Sequence, residues 1–153
     1  MSPEQLSATY AAALETAAKL LGGRLEPSVE PDPDEPANAR DFMRLATVHT
    51  FGDAWPRSEE LDARSRALVS VTIAAVLGTL EPLRGQMRIA LNNGVSSEEI
   101  VEVFIQIEAY AGAARAFESY RIAREVFAER RSTTPRLPHP LGEPNQASND
   151  SEQ

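Results

Sequence analysis

Asn92-Asn93-Gly94-Val95-Ser96-Ser97-Glu98-Glu99-Ile100-Val101-Glu102-Val103-Phe104 holds the end of one helix and the start of the next. Asn-Asn-Gly is the composition of a left-handed C-terminal cap. Ser96 followed three residues later by Glu99 makes a capping box, in which each side chain accepts a backbone N–H of the new first turn. Ile100, Val103, Phe104, Ile107 and Ala111 then recur at helical spacing. Upstream, the same period predicts a helix from about Glu81 to Asn92, and another that Asp62 caps and that runs to about Leu77. Between Leu68 and Leu77 only Ser70 and Thr72 are polar, so this helix is expected to be the central, buried one. Further upstream, Asn38 and Asp41 signal a helix through Phe42, Leu45 and Val48 that ends near Gly52. Ser2-Pro3-Glu4-Gln5 reads as a capping box with Pro at the first helical position, opening a helix that stops at Gly22-Gly23. Downstream, Gly112 breaks or bends the chain before a sixth helix that reaches Arg131. No strand-period segment of useful length occurs, and the expected fold is an all-α, compact bundle of about six helices.

Proline divides the 153 residues. Pro27, Pro31, Pro33 and Pro36 sit among acids, and Pro135, Pro138, Pro140 and Pro144 precede a polar end. Fixed φ and missing N–H groups block helix in both stretches. The expected organisation is an N-terminal helix over 1–25, an acidic Pro-rich linker over 26–37, a helical domain over 38–131 and a disordered acidic tail over 132–153. With 15 Lys+Arg against 23 Asp+Glu, a formal net charge of -8, the chain lacks the basic stripe that nucleic-acid or membrane-surface binding needs. The absence of cysteine excludes disulfides and thiol chemistry. Two histidines, and no His/Asp/Glu cluster at ligand spacing, argue against a metal. With no strand there is no strand-to-helix phosphate loop, so no cofactor is expected. The opening residues have no basic and apolar leader pattern, and the longest apolar run, Ile73 to Leu77, is too short to span a bilayer. The expectation is a cytoplasmic protein acting on a small molecule, with neither nucleic acid nor membrane as partner.

The stretch from His49 to Glu129 resembles the carboxymuconolactone decarboxylase family, which shares the alkylhydroperoxidase-D-like all-α fold. Its matching segments are Phe51-Gly52-Asp53-Ala54-Trp55-Pro56-Arg57, Arg64 to Val69, Ala90 to Val95 with Glu98 to Val103, Gln106 to Gly112, and Ala123 to Glu129. The resemblance implies a homo-oligomer, a trimer or hexamer, with sites near protomer interfaces. A monomeric bundle has the same composition. Redox relatives use a Cys pair, a proton-relay Glu and a His. Those positions fall here at Thr79 and Pro82, at Ala67 and at Gln86, so peroxidase chemistry is excluded. Decarboxylase relatives keep the His in a Leu-His-Leu-Arg pattern that reads Gly85-Gln86-Met87-Arg88 here. An amide cannot carry a proton at neutral pH, which leaves ordinary carboxymuconolactone decarboxylation in question.

The residues that can still carry lyase or isomerase chemistry have two readings each. Arg88 can bind a leaving carboxylate or an enolate with its planar donors, or form a salt bridge to Glu81 or another acid. Gln86 can orient a carbonyl beside it, or mark a dead site. Glu108 falls inside the apolar arc of the fifth helix, between Phe104 and Val101. It is expected either to pair with Arg88 or Arg115, or to stay protonated and move a proton. His49 can act as acid/base with Asp53, four residues on, as its orienter, or be a packing residue. Trp55 and Phe51 read as packing residues, although the resemblance places them near a site. Tyr110 and Tyr120 can donate to a carbonyl, or serve the core or an interface. Asn92 and Asn93 read as a helix cap, and His139 has no assigned role. The leading expectation is a cofactor-independent enzyme performing decarboxylation, isomerisation or cyclisation on a small carboxylate, lactone or carbonyl compound, and a biosynthetic intermediate fits as its substrate. The alternative is a non-catalytic oligomeric binding or scaffold protein.

Overall fold

Local capping chemistry sets the starts of two helices in the computed structural model, which describes residues 3–23 and 34–133. Helix α1 spans Pro3–Leu21, α2 Ala39–Thr47, α3 Ala63–Leu77, α4 Leu80–Asn92, α5 Ser97–Ala111 and α6 Ala113–Thr133. No strand occurs among the described residues, and the protein is an all-α bundle of six helices. None of these helices is long and apolar enough to cross a membrane. The Ser96 hydroxyl accepts the Glu99 N–H at 3.1 Å, and the Glu99 carboxylate accepts the Ser96 N–H at 2.9 Å. Asp62 accepts from the Ser65 N–H at 2.8 Å, which holds its carboxyl below the usual range. Asn38 differs from expectation. Helix α2 begins after it, but its side chain makes no capping bond, and its backbone carbonyl accepts the Phe42 N–H instead. The second helix does end near Gly52, but its last seven residues, Val48–Ala54, are π-helical.

Helix α3 packs on α4 and α5, α5 packs on α6, and α6 returns to α4. Val71, Leu83, Met87, Ile100, Ile122 and Val126 form the centre of the core. Gly112, at φ 94 and ψ 152, takes a backbone conformation essentially reserved for glycine, and this lets α6 fold back along α5. Helix α1 lies against the π-helical segment and α4, outside the core quartet. Ser2 lies outside the described residues, as do 26–33 of the expected linker and 134–153 of the expected tail. Residues 132 and 133, expected in that tail, still belong to α6.

One packing expectation is corrected. Helix α3 is not buried all round: Ala67, Val71, Ala74 and Ala75 face the core, whereas Val69, Ile73, Val76 and Leu77 are exposed. Ile73 is 54% exposed and Leu77 66%. Among the described residues the neighbouring helices cover one side of α3 and leave the other exposed. Residues 69, 73 and 77 recur every fourth position, so they share one face of the helix.

Candidate functional site

Helix α4 presents its candidate residues in two directions. Gln86 and Arg88 are two positions apart, which turns their side chains about 200° from each other on a helix. The expected arrangement, with Gln86 orienting a group that Arg88 binds, therefore does not form on α4. Gln86 turns inward: its Oε1 is buried and accepts no hydrogen bond. An unmatched buried acceptor costs about 1–3 kcal/mol.

Arg88 turns outward to α6. Its Nη2 donates to Glu129 Oε2 at 2.7 Å, in a pair whose members are both about half exposed. One turn earlier, Arg84 reaches Glu125 and, at 3.5 Å, the other oxygen of Glu129. Glu81 lies 3.8 Å from Arg84, and Arg121 lies 3.3 Å from Glu125. The Arg84 hydrogen bond holds the Glu125 carboxyl below its usual range, while Glu125 raises the Arg84 guanidinium in turn. Sequence reading assigned nothing to Arg84, Glu125, Glu129 or Arg130. A signal for the pairing was present, since Arg84/Arg88 and Glu125/Glu129 are both i,i+4 pairs of opposite sign on two helices.

A cleft of about 230 Å3 opens between the C-terminal ends of α1, α4 and α6. Leu21, Leu91 and Val126 line it, together with Arg88, Glu129 and Arg130. Asn92 also lines it, and its Nδ2 donates to the Leu21 carbonyl at 2.6 Å. Asn93 Nδ2 donates to the carbonyls of Leu20 at 3.1 Å and Ile89 at 2.7 Å. The two asparagines thus cap the end of α1 as well as lying at the end of their own helix, which local reading could not foresee.

The remaining candidates lie elsewhere. Glu108 is exposed, as is Ile105 one turn before it, while Ile100, Phe104 and Ile107 form the buried line of α5. The apolar arc read from the sequence is wider than the face the protomer covers, so Glu108 is not buried in it. Neither expected partner reaches it: Arg88 pairs with Glu129, and Arg115 with Glu118 at 3.3 Å. His49 Nδ1 lies 3.7 Å from Asp53 Oδ2, and both side chains are exposed. Trp55 is buried in the core, with Phe51 packed against the same cluster. Tyr110 is 84% exposed. The cleft that Arg88 lines includes neither Gln86, Glu108 nor His49. No group of three or more His, Asp or Glu side chains capable of holding a metal occurs among the described residues.

The 4-carboxymuconolactone decarboxylase of Acinetobacter baylyi is 31% identical over 88 residues, covering 58% of this chain and 65% of that protein. Residues 40–125 match the Carboxymuconolactone decarboxylase family. The matched segment runs from the start of α2 well into α6 and contains His49, Trp55, Gln86, Arg88, Glu108 and Tyr110. It leaves out α1 and the end of α6 that carries Glu129 and Arg130. The chain belongs to the carboxymuconolactone decarboxylase family.

Proposed function

We propose that this protein is a cofactor-independent, decarboxylase-like enzyme acting on a small carboxylate, lactone or carbonyl compound in a homo-oligomer. The observation that carries the reading is Gln86, which stands where decarboxylase relatives are expected to have their His. Its amide oxygen is buried without a donor, inside a chain of this family. A substrate O–H or N–H that reached Oε1 would remove the cost of the unmatched acceptor. In decarboxylation, the bond to the carboxylate breaks and its electron pair passes into the adjoining carbonyl system as an enolate. CO2 leaves, and a proton is delivered to carbon. Gln86 can donate from Nε2 to the carbonyl system, while its Oε1 accepts from a substrate O–H or N–H, but the amide cannot supply that proton. His49 is assigned the proton transfer, with Asp53 at 3.7 Å orienting it. Assembly into trimers or hexamers fits the uncovered apolar face of α3, because contiguous apolar surface is characteristic of protein contacts.

A second reading is a non-catalytic, small-molecule-binding scaffold. It is favoured by the Arg88–Glu129 pair and by the different faces on which Gln86, Arg88, Glu108 and His49 lie. Release of CO2 from 4-carboxymuconolactone and from related lactone acids separates the two. The enzymatic reading expects turnover that falls at least 100-fold in His49→Gln, a loss in the range of general acid–base catalysis. Binding with no turnover from any of these acids establishes the scaffold.

A further inference from the structure

The cleft at the C-terminal ends of α1, α4 and α6 has no part in the chemistry assigned to Gln86 and His49. Five of its eight lining residues also lie outside the family segment: Leu21 on α1, and Val126, Glu129, Arg130 and Thr133 on α6. We propose that this cleft is a binding site for a small organic carboxylate with an apolar body. Arg88 and Arg130 hold the carboxylate, and Glu129 is the group that yields to it.

Three features point to that ligand. The first is charge. The cleft is lined by Arg88 and Arg130 against Glu129 alone, in a chain whose formal net charge is -8. Positive potential is thereby concentrated where the protein as a whole would repel an anion.

The second is the way Glu129 is shared. Its Oε2 accepts from Arg88 at 2.7 Å, while its Oε1 lies 3.5 Å from Arg84. A ligand carboxylate that replaces Oε2 at Arg88 leaves Glu129 still facing Arg84. Arg88 exchanges one carboxylate for another, so no buried charge is stranded. Arg130 stands beside this exchange with its Nη1 donating to Asn92 Oδ1 at 3.3 Å. Asn92 is itself fixed by its bond to the Leu21 carbonyl. A guanidinium has five donors in a rigid fork and can hold an amide and a carboxylate together.

The third is size and lining. Leu21, Leu91 and Val126 offer hydrocarbon, which inorganic phosphate or a bare dianion would not use. The volume of about 230 Å3 is below the roughly 300–1,000 Å3 of clefts that take drug-sized ligands, and suits a body of about one ring.

The cleft lies apart from the chemistry proposed above and its readout is binding, so the two fail separately. Benzoate is titrated into the full chain at low salt by calorimetry, with benzyl alcohol and inorganic phosphate as controls. Benzoate is expected to saturate one site per chain. Arg88→Gln or Arg130→Gln should weaken it at least tenfold, and Glu129→Gln should tighten it several-fold by removing the competing carboxylate. Arg131→Gln removes the same charge from the same helix at a position that does not line the cleft, and should leave affinity within about twofold. Benzoate affinity unchanged by Arg88→Gln, or lowered by Glu129→Gln, overturns the proposal. So does equal binding of benzyl alcohol, which makes the cleft an apolar crevice, or of phosphate, which makes it a general anion site. Should Arg88→Gln fail to fold, Arg130→Gln and Glu129→Gln test the same site with opposite signs. Turnover without benzoate binding removes the cleft and leaves the enzyme. Binding without turnover does the reverse.

Discussion

The seam between α4 and α6 and the outer face of α3 are both helix surfaces, and the protomer finishes only one of them. Across the seam, Arg84 and Arg88 interleave with Glu125 and Glu129, so each helix finds its partner inside the chain. On α3, Val69, Ile73 and Leu77 form an apolar line that none of the described helices covers. The difference teaches where to look for a second molecule. Paired charges mark a surface the chain completes by itself, and an uncovered apolar line marks one it does not.

The largest effect that sharpens the contrast is in the core. Leu83 on α4 is fully buried, and Leu83→Ala should cost about 2–5 kcal/mol in urea unfolding. Ile73→Ala on the outer face should cost less than about 0.5 kcal/mol if the protomer stands alone. A cost several times larger, falling with dilution, would show that assembly buries that face. Ile73→Glu tests the same point directly by sedimentation: the wild type should run as an oligomer and the variant as a folded single chain. A wild type that is already monomeric breaks the comparison.

Next come effects local to one helix end. Gly78 closes α3 at φ 70, and an added Cβ would also run into Arg115 Nη1. The arginine tip can swing away but the backbone cannot, so Gly78→Ala should cost about 1–2 kcal/mol. Ser96→Ala removes one half of the α5 capping box and should cost about 1 kcal/mol. Both are read from thermal or urea unfolding. Neither should alter assembly if the α3 line is what drives it.

These sites also show what was legible in the chain. Asp62, Ser96 and Gly112 set helix ends because a cap or a break is decided by residues within three or four positions, and sequence displays those. Asn38 has the right side chain, but here its backbone carbonyl does the work. The burial of α3 and the setting of Glu108 were not legible, because an apolar arc says which residues want cover and not whether this protomer supplies it. For Gln86 and Arg88 helical geometry was enough, since neighbours two apart diverge. The Arg84/Arg88 and Glu125/Glu129 pairs were written in matching i,i+4 spacing, but 41 residues separate Arg84 from Glu125 and only the fold brings them together. The role of Asn92 and Asn93 in holding α1 was hidden for the same reason.

The smallest expected effect separates the seam from the caps by pH. The Glu125 carboxyl is lowered by its hydrogen bond to Arg84, and the Glu99 carboxyl by the Ser96 N–H and then by Arg64. A carboxyl that ionises more readily when folded contributes stability above its unfolded value and loses it as pH falls through the folded value. Melting temperature should therefore hold from neutral pH to the ordinary carboxylate range and decline below it. Arg84→Met removes the cause at Glu125 while leaving the α5 capping box intact, so it should make the acid decline shallower. Glu99→Gln removes the other lowered carboxyl outright and should flatten the decline from the α5 end instead. If both variants keep the wild-type slope, these carboxylates do not set the acid limit, and the seam is a contact of shape with little contribution from charge. If Arg84→Met alone flattens it, the seam is where the protomer holds itself closed. The α3 face then remains the surface on which a second chain has something to add.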